Sequence, residues 1–246
     1  MLPGIEMMIA VVIAYMIKGM CGFANTLVFT SILSFRQANI NISPVELIVG
    51  YPSNLYIVWR ERKHLLTSIW LPLSILVVLG SVPGILLLKI GNSEVLKMMF
   101  GIVVIVLSVE MFLRENIKKE KKTNQTIMGA IGLASGILCG LFGIGALLAA
   151  YVSRTTEDSG SFRGNLCAVF IVENSVRWIL YLLTGIITLQ TMQTALQLIP
   201  FMVMGLLAGT YIGKKLKDTI IKKIVILFLF LSGISLVITN LLMYTS

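Results

Sequence analysis

The sequence predicts an all-α polytopic membrane protein made of two inverted repeats of five segments, the first two segments of each repeat forming a re-entrant helical hairpin. Three observations carry that expectation. Several apolar runs approach or exceed the ~20 residues that cross ~30 Å of hydrocarbon, most clearly Ile69–Leu88, Val95–Leu113 and Ile220–Tyr244. A small-residue break interrupts an apolar run twice, in KGMCGFANTLVFTSIL (Lys18–Leu33) and in CGLFGIGALLAAYVSR (Cys139–Arg154). Lysine and arginine gather in alternate loops, as positive-inside bias requires. The composition agrees: 57% hydrophobic against 13% charged, with mean hydropathy +0.94, is far from an ordinary soluble domain.

The first arm, Ile5–Ile17, follows an N-terminus with neither a basic n-region nor a small-x-small cleavage site. It reads as a retained helix and not as a signal peptide. It runs into Lys18 and the first break, and Ala24–Phe35 forms the second arm. Arms of ~13 residues reach only ~20 Å at 1.5 Å per residue. They are too short to span, so re-entrant hairpins with glycine tips meeting near the midplane are expected. A polar linker, Arg36–Ser43, leads to a helix over Pro44–Trp59, with Pro44 suited to its first turn and Pro52 to a kink. The basic loop Arg60–His64 precedes the span Ile69–Leu88, and a short turn at Lys89–Ser93 leads into Val95–Leu113. The most polar stretch, RENIKKEKKTNQ, then divides the chain into a first repeat over 1–113, a basic cytoplasmic connector over 114–125 and a second repeat over 126–246.

The second half repeats the plan. Arms at Ile127–Cys139 and Gly145–Val152 join through LFGIG, and the loop Arg154–Arg163 precedes a helix over Gly164–Leu183. After a nearly uncharged loop come Ala195–Ile212, the lysine-rich Lys214–Lys223 and Ile224–Tyr244. At an offset of 121, Gly19, Gly22 and Ala24 fall on Gly140, Gly143 and Gly145. At an offset of 125, Gly80, Gly84, Lys89 and Lys97 fall on Gly205, Gly209, Lys214 and Lys222, and Asn54 falls on Asn174 at an offset of 120. Recurrence at a fixed offset marks a duplicated architecture. With each break region counted as a two-armed hairpin, Arg60–Lys63, Arg114–Lys122, Arg154–Arg163 and Lys214–Lys223 share one face and hold fifteen of the 20 basic residues. That asymmetry makes the halves inverted copies and leaves both termini outside.

The net charge of +9 is accounted for by these loops, so nucleic acid is not an expected partner. Cys21, Cys139 and Cys167 are odd in number and have neither a disulfide framework nor zinc-ligand spacing, and His64 is the only histidine. No metal or cofactor is expected. Backbone that leaves helix geometry at membrane depth must be buried in protein or line a wet cavity. At each break the N-terminus of the second arm offers N–H groups and a positive dipole end to an anion. The candidate donors are the N–H groups of Gly22, Phe23, Ala24 and Asn25, and of Gly143, Ile144, Gly145 and Ala146; the bland alternative is small-residue helix packing.

Lys18 abuts the first tip, where an ionisable residue reads as part of a site or as a cap on the first arm's dipole. Asn25, Asn54 and Asn174 fit as neutral donors to oxyanion oxygens or as interhelical hydrogen bonds. Glu173 and Arg177 stand one helical turn apart inside a membrane segment, which reads first as a mutually neutralising pair. In the functional version Arg177 faces an anion, with Glu173 as counter-charge or proton carrier. Glu46 is either interfacial or a second coupling carboxylate. Glu110, near the inner end of its helix, reads as solvated.

With GMCGFANTL and GLFGIGALL each opening a half, the chain resembles the TauE/SafE sulfite exporter family over nearly its whole length. The resemblance implies export of sulfite, sulfonates or related organosulfur anions across a prokaryotic cytoplasmic (inner) membrane. Secondary transport by alternating access is the expected mechanism; no nucleotide-binding loop is present, and proton or sodium coupling and a homodimeric assembly remain open. Two other classes stay open as well. A membrane thiol–disulfide electron carrier would use Cys21 and Cys139, although apolar surroundings raise a thiol's pKa. A non-catalytic membrane assembly subunit would show no anion flux alone. An enzyme is not expected, since no Ser–His or paired-carboxylate constellation is present.

Overall fold

The computed structural model describes residues 4–114, 125–213, 215, 223, 226–235 and 237–238. The connector at 115–124, most of Lys214–Lys223 and the residues beyond 238 lie outside them. Among the described residues every regular element is helical. In order these are α1 (Ile5–Cys21), α2 (Asn25–Leu33), α3 (Asn39–Arg60), a 3-10 turn at Arg62–His64, α4 (Thr67–Ile90), α5 (Ser93–Arg114), α6 (Gln125–Phe142), α7 (Ala146–Thr155), α8 (Ser159–Leu183) and α9 (Leu189–Gly213). A shorter apolar helix, α10, covers Ile226–Ser235.

The chain is a polytopic membrane protein. Among the described residues three helices, α4, α8 and α9, are long and apolar enough to cross a bilayer by length and composition. On α4 the outward stripe is itself apolar: Leu71, Ile75, Leu79, Val82 and Leu86 are exposed while Leu73, Val77, Gly80, Ser81, Gly84 and Ile85 are buried. A helix apolar on both faces is solvated by lipid on one and protein on the other.

Helices exchange partners between the halves. α1 packs on α9 and α6 packs on α4, while α3 lies against both α8 and α9 and α8 against α4. The glycines that the offset of 125 pairs sit in these crossings. A Cβ on Gly84 would lie 2.6 Å from the Ile137 carbonyl and 3.1 Å from the Gly140 Cα; one on Gly205 would lie 2.5 Å from the Val12 carbonyl. At Gly80 and Gly209 it would overlap the carbonyls of Leu133 and Met16. Small residues let the backbones touch, which is what association in lipid rests on.

Several boundaries differ from the sequence expectation. The first arms hold 17 and 18 residues and the second arms 9 and 10, so each pair is one long arm and one short arm, ~26 Å and ~14 Å at 1.5 Å per residue. α3 starts at Asn39, so Pro44 lies inside it. The missing proline N–H forfeits one backbone bond, while a bond from Ser34 Oγ to Asn39 Oδ1 at 3.0 Å ties the helix start to the end of α2. α8 starts at Ser159 because Asp158 caps it, accepting from Ser161 N at 2.9 Å and Ser161 Oγ at 2.7 Å. Those bonds, the backbone one first, hold the Asp158 carboxyl below the usual carboxylate range. Arg163 is therefore a helical residue and not part of a loop.

Candidate functional site

Both first arms end on a left-handed glycine. Gly22 (φ 88°) closes α1 with its N–H on Lys18 O at 2.7 Å, and Gly143 (φ 73°) closes α6 with its N–H on Cys139 O at 2.8 Å. These are the residues that the offset of 121 pairs, and glycine adopts this φ without steric penalty. Each carbonyl end also receives an arginine from α8. Arg163 Nη2 donates to Met20 O at 3.3 Å, and Arg177 Nη1 donates to Cys139 O at 2.9 Å. A guanidinium there opposes the negative end of the helix dipole.

This capping corrects the expected donor set. The N–H groups of Gly22 and Gly143, and that of Ile144, which donates to Leu138 O at 3.3 Å, are used in ending the first arms. The first-turn N–H groups of Asn25, Thr26 and Leu27 in α2, and of Ala146, Leu147 and Leu148 in α7, have no acceptor within their own helices. Ala24, the N-cap of α2, holds a left-handed φ of 71°, whereas Gly145, the N-cap of α7, has φ −109°. The two breaks thus match at their glycine stops and diverge at the start of the second arm.

The breaks come together. Residues 23–27 of the first and Gly143, Gly145 and Ala146 of the second line one narrow cleft with Phe170 of α8, with about 20 Å³ of room, space for roughly one water. That is far below the 300–1,000 Å³ of clefts for drug-sized ligands. Phe170 fills the space a side chain on Gly145 would need.

Four buried charges surround this point. Lys18, 3% exposed, donates from Nζ to Ser53 Oγ and Asn54 Oδ1, both at 2.8 Å. Glu46, 4% exposed, is no interfacial residue: its Oε1 accepts Asn25 Nδ2 at 2.7 Å and Thr26 Oγ1 at 2.8 Å. Arg177 Nη2 donates to Asn174 Oδ1 at 2.7 Å, and its Nε lies 3.4 Å from Glu173 Oε1. Gly143 is where these strands of the network converge. A Cβ there would stand 2.9 Å from Arg177 Nη1, 2.9 Å from Thr26 Cγ2 and 3.5 Å from Glu46 Oε2.

The family model described as "Sulfite exporter TauE/SafE" matches residues 7–236. The chain belongs to the TauE/SafE sulfite exporter family. Curated proteins and solved structures give no match. Membership makes this TauE/SafE protein a membrane transporter of the sulfite-exporter type, not a member of an enzyme family.

Of the residues singled out in this TauE/SafE chain, Phe23, Ala24, Asn25, Gly143, Gly145 and Ala146 line the cavity. Arg177 and Glu46 each approach Gly143 beside it, and Glu173 and Asn174 contact Arg177. Gly22 faces Arg163 instead, and Ile144 is fully buried with its carbonyl accepting Cys139 Sγ at 3.2 Å. Asn54 and Asn174 present their carbonyl oxygens to cations. Cys139 and Cys167 are buried free thiols, and Glu110 is half-buried, not fully solvated. Sequence reasoning missed Thr26, Ser53, Phe170 and Arg163. The adjacency of Thr26 to Asn25, and Asp158 followed by Ser159 as a helix start, were signals for two of them.

Proposed function

We propose that this chain is a secondary exporter of a small sulfur-containing anion, sulfite, a sulfonate or a related organosulfur anion, held between the two glycine breaks. The observation that carries the reading is the convergence of both breaks on one small cavity beside Arg177. The first turns of α2 and α7 give it N–H donors and positive dipole ends, and Arg177 supplies the fixed cation. In this reading the two arms of each break are re-entrant, and their tips meet near the midplane. The exchanged packing of α1 on α9 and α6 on α4 supports two inverted repeats over 1–113 and 126–246, joined by the cytoplasmic connector at 114–125. Rocking of one repeat against the other then opens the cavity alternately to each side. Glu46 and Glu173 are the coupling carboxylates, the membrane is the prokaryotic inner membrane and both termini lie outside.

The test is flux. Purified protein in liposomes is expected to give saturable efflux of sulfite or a small sulfonate over sulfate and acetate, weakened in Lys18→Ala, which strips Ser53 and Asn54 of their buried cation. Flux of none of these anions, under any proton or sodium gradient, refutes the reading.

A further inference from the structure

Two of the donors an incoming anion needs are already taken by the protein itself. Glu46 Oε1 holds the Asn25 amide and the Thr26 hydroxyl, in the first turn of α2. Its Oε2 points to Gly143, beside Arg177 Nη1. An amide, a hydroxyl, a helix N-terminus and a guanidinium form an oxyanion-binding set, and a carboxylate on a neighbouring helix already holds its amide and hydroxyl. A separate observation lies on the far side of Gly143. There both Glu173 oxygens and Arg177 Nε are buried without a hydrogen bond, meeting only as an ion pair at 3.4 Å. Arg177 Nε thus makes no hydrogen bond, and Glu173 is its ion-pair partner.

Resting on the tip-site reading above, we propose that Glu46 is a tethered stand-in for the substrate, and that each anion bound is accompanied by one proton taken up on Glu46. Two anions within one shell of donors repel, so one must leave or be neutralised. Glu46 is fixed to α3 in a buried position and cannot leave. An O–H bond forms on its carboxyl, Asn25 and Thr26 are released, and their hydrogen bonds pass to the anion; no bond within the anion changes. The charged and titratable groups facing Glu46 are Tyr15 and Lys18 on α1, Arg177 and Glu173 on α8 and Cys139 on α6. Lys18 and Arg177 stay as the fixed cations for whichever anion is present. A monoanion then crosses together with its proton, carrying no net charge.

The experiment is binding and flux of methanesulfonate, which stays a monoanion from about pH 5.5 to about pH 8. Wild-type protein in detergent is expected to bind it more tightly as pH falls, approaching tenfold per pH unit for a one-proton linkage, and to take up about one proton per anion in weakly buffered solution. In Glu46→Gln the affinity, whatever its absolute value, is expected to lose that slope. Glu94→Gln, an exposed carboxylate at the start of α5, is expected to retain it. In liposomes, wild-type flux is expected to follow a pH gradient and ignore a potassium–valinomycin potential; Glu46→Gln is expected to do the reverse. Wild-type binding without proton uptake, binding that follows sodium and not pH, or a full slope in Glu46→Gln each overturns the role of Glu46 while leaving the tip site standing. If Glu46→Gln does not fold, proton uptake by the wild type decides alone. If only sulfite binds, the slopes are read after subtracting sulfite's own protonation. Absence of any anion binding by the wild type overturns the tip site itself.

Discussion

Arg177→Leu isolates what the buried ion pair contributes. The Arg177 Nε–Glu173 Oε1 separation is 3.4 Å with both side chains nearly inaccessible, and at an effective dielectric of ~20 the attraction is about 5 kcal/mol. Removing one partner leaves a buried carboxylate uncompensated, which costs about 3–5 kcal/mol. The other contacts of Arg177 add less. Cys139 O still accepts the Gly143 N–H at 2.8 Å, so it is not orphaned, and Asn174 loses one neighbour. The expected loss for Arg177→Leu is therefore about 3–5 kcal/mol, most of it from the stranded charge. Glu173→Gln combined with Arg177→Leu is expected to recover at least half of it, since the Glu173 charge goes with its partner. Unfolding in mixed micelles, followed by tryptophan fluorescence with Trp178 adjacent on α8, gives the four corners of a double-mutant cycle. The double variant, although stable, is expected to show no anion flux, because the guanidinium of the site is gone. An Arg177→Leu protein within about 0.5 kcal/mol of wild type, or a double variant no more stable than the single, refutes the assignment of a tightly coupled buried pair.

Two further outcomes follow from backbone geometry. Ala24 holds a left-handed φ without being glycine, whereas Gly143 has both a left-handed φ and Arg177 in the way of a Cβ. Ala24→Gly is expected to stabilise by about 1 kcal/mol and Gly143→Ala to destabilise by more than that, read in the same unfolding assay; equal signs refute the conformational argument. Gly209→Ala would drive a methyl into the Met16 carbonyl at the α1–α9 crossing, while nothing lies within 4 Å of a Cβ on Gly129. The first is expected to cost about 1–3 kcal/mol by overpacking; the second is expected to be neutral or to stabilise by up to about 1 kcal/mol from helix propensity, both read as thermal stability in detergent.

Much of this was legible in the residues. The offset of 121 found the two glycine stops, Gly22 and Gly143, because a left-handed stop after an apolar helix needs the same residue in both halves. The offset of 125 found the glycines of the helix crossings for a similar reason. It could not say which helix each crossing meets. Gly84 looks the same whether it packs on α6 or on α3, since a glycine records that a backbone is near and not whose. Glu46 was ambiguous because the helix start was set by Pro44; with α3 beginning at Asn39, that carboxylate moves a further turn inward. Arg163 was lost to a presumed loop for the matching reason at Asp158. Which N–H groups stay available at each tip depended on the turn closing back onto Lys18 and Cys139, a choice of backbone conformation that residue types alone leave open.

The exchanged packing sets a timetable for synthesis. α1 is complete at residue 21, but the α9 surface on which its glycine-lined face rests begins only at residue 189. At 5–20 residues per second, roughly 10–30 s pass between the two. During that interval the apolar face of α1 is in the membrane, or at its insertion machinery, without α9, although Lys18 already has Ser53 and Asn54 of α3. α4 waits for α6 in the same way, though far more briefly. The nascent chain therefore spends most of its elongation with its earliest helix packed on α2 and α3 side chains but without its largest partner.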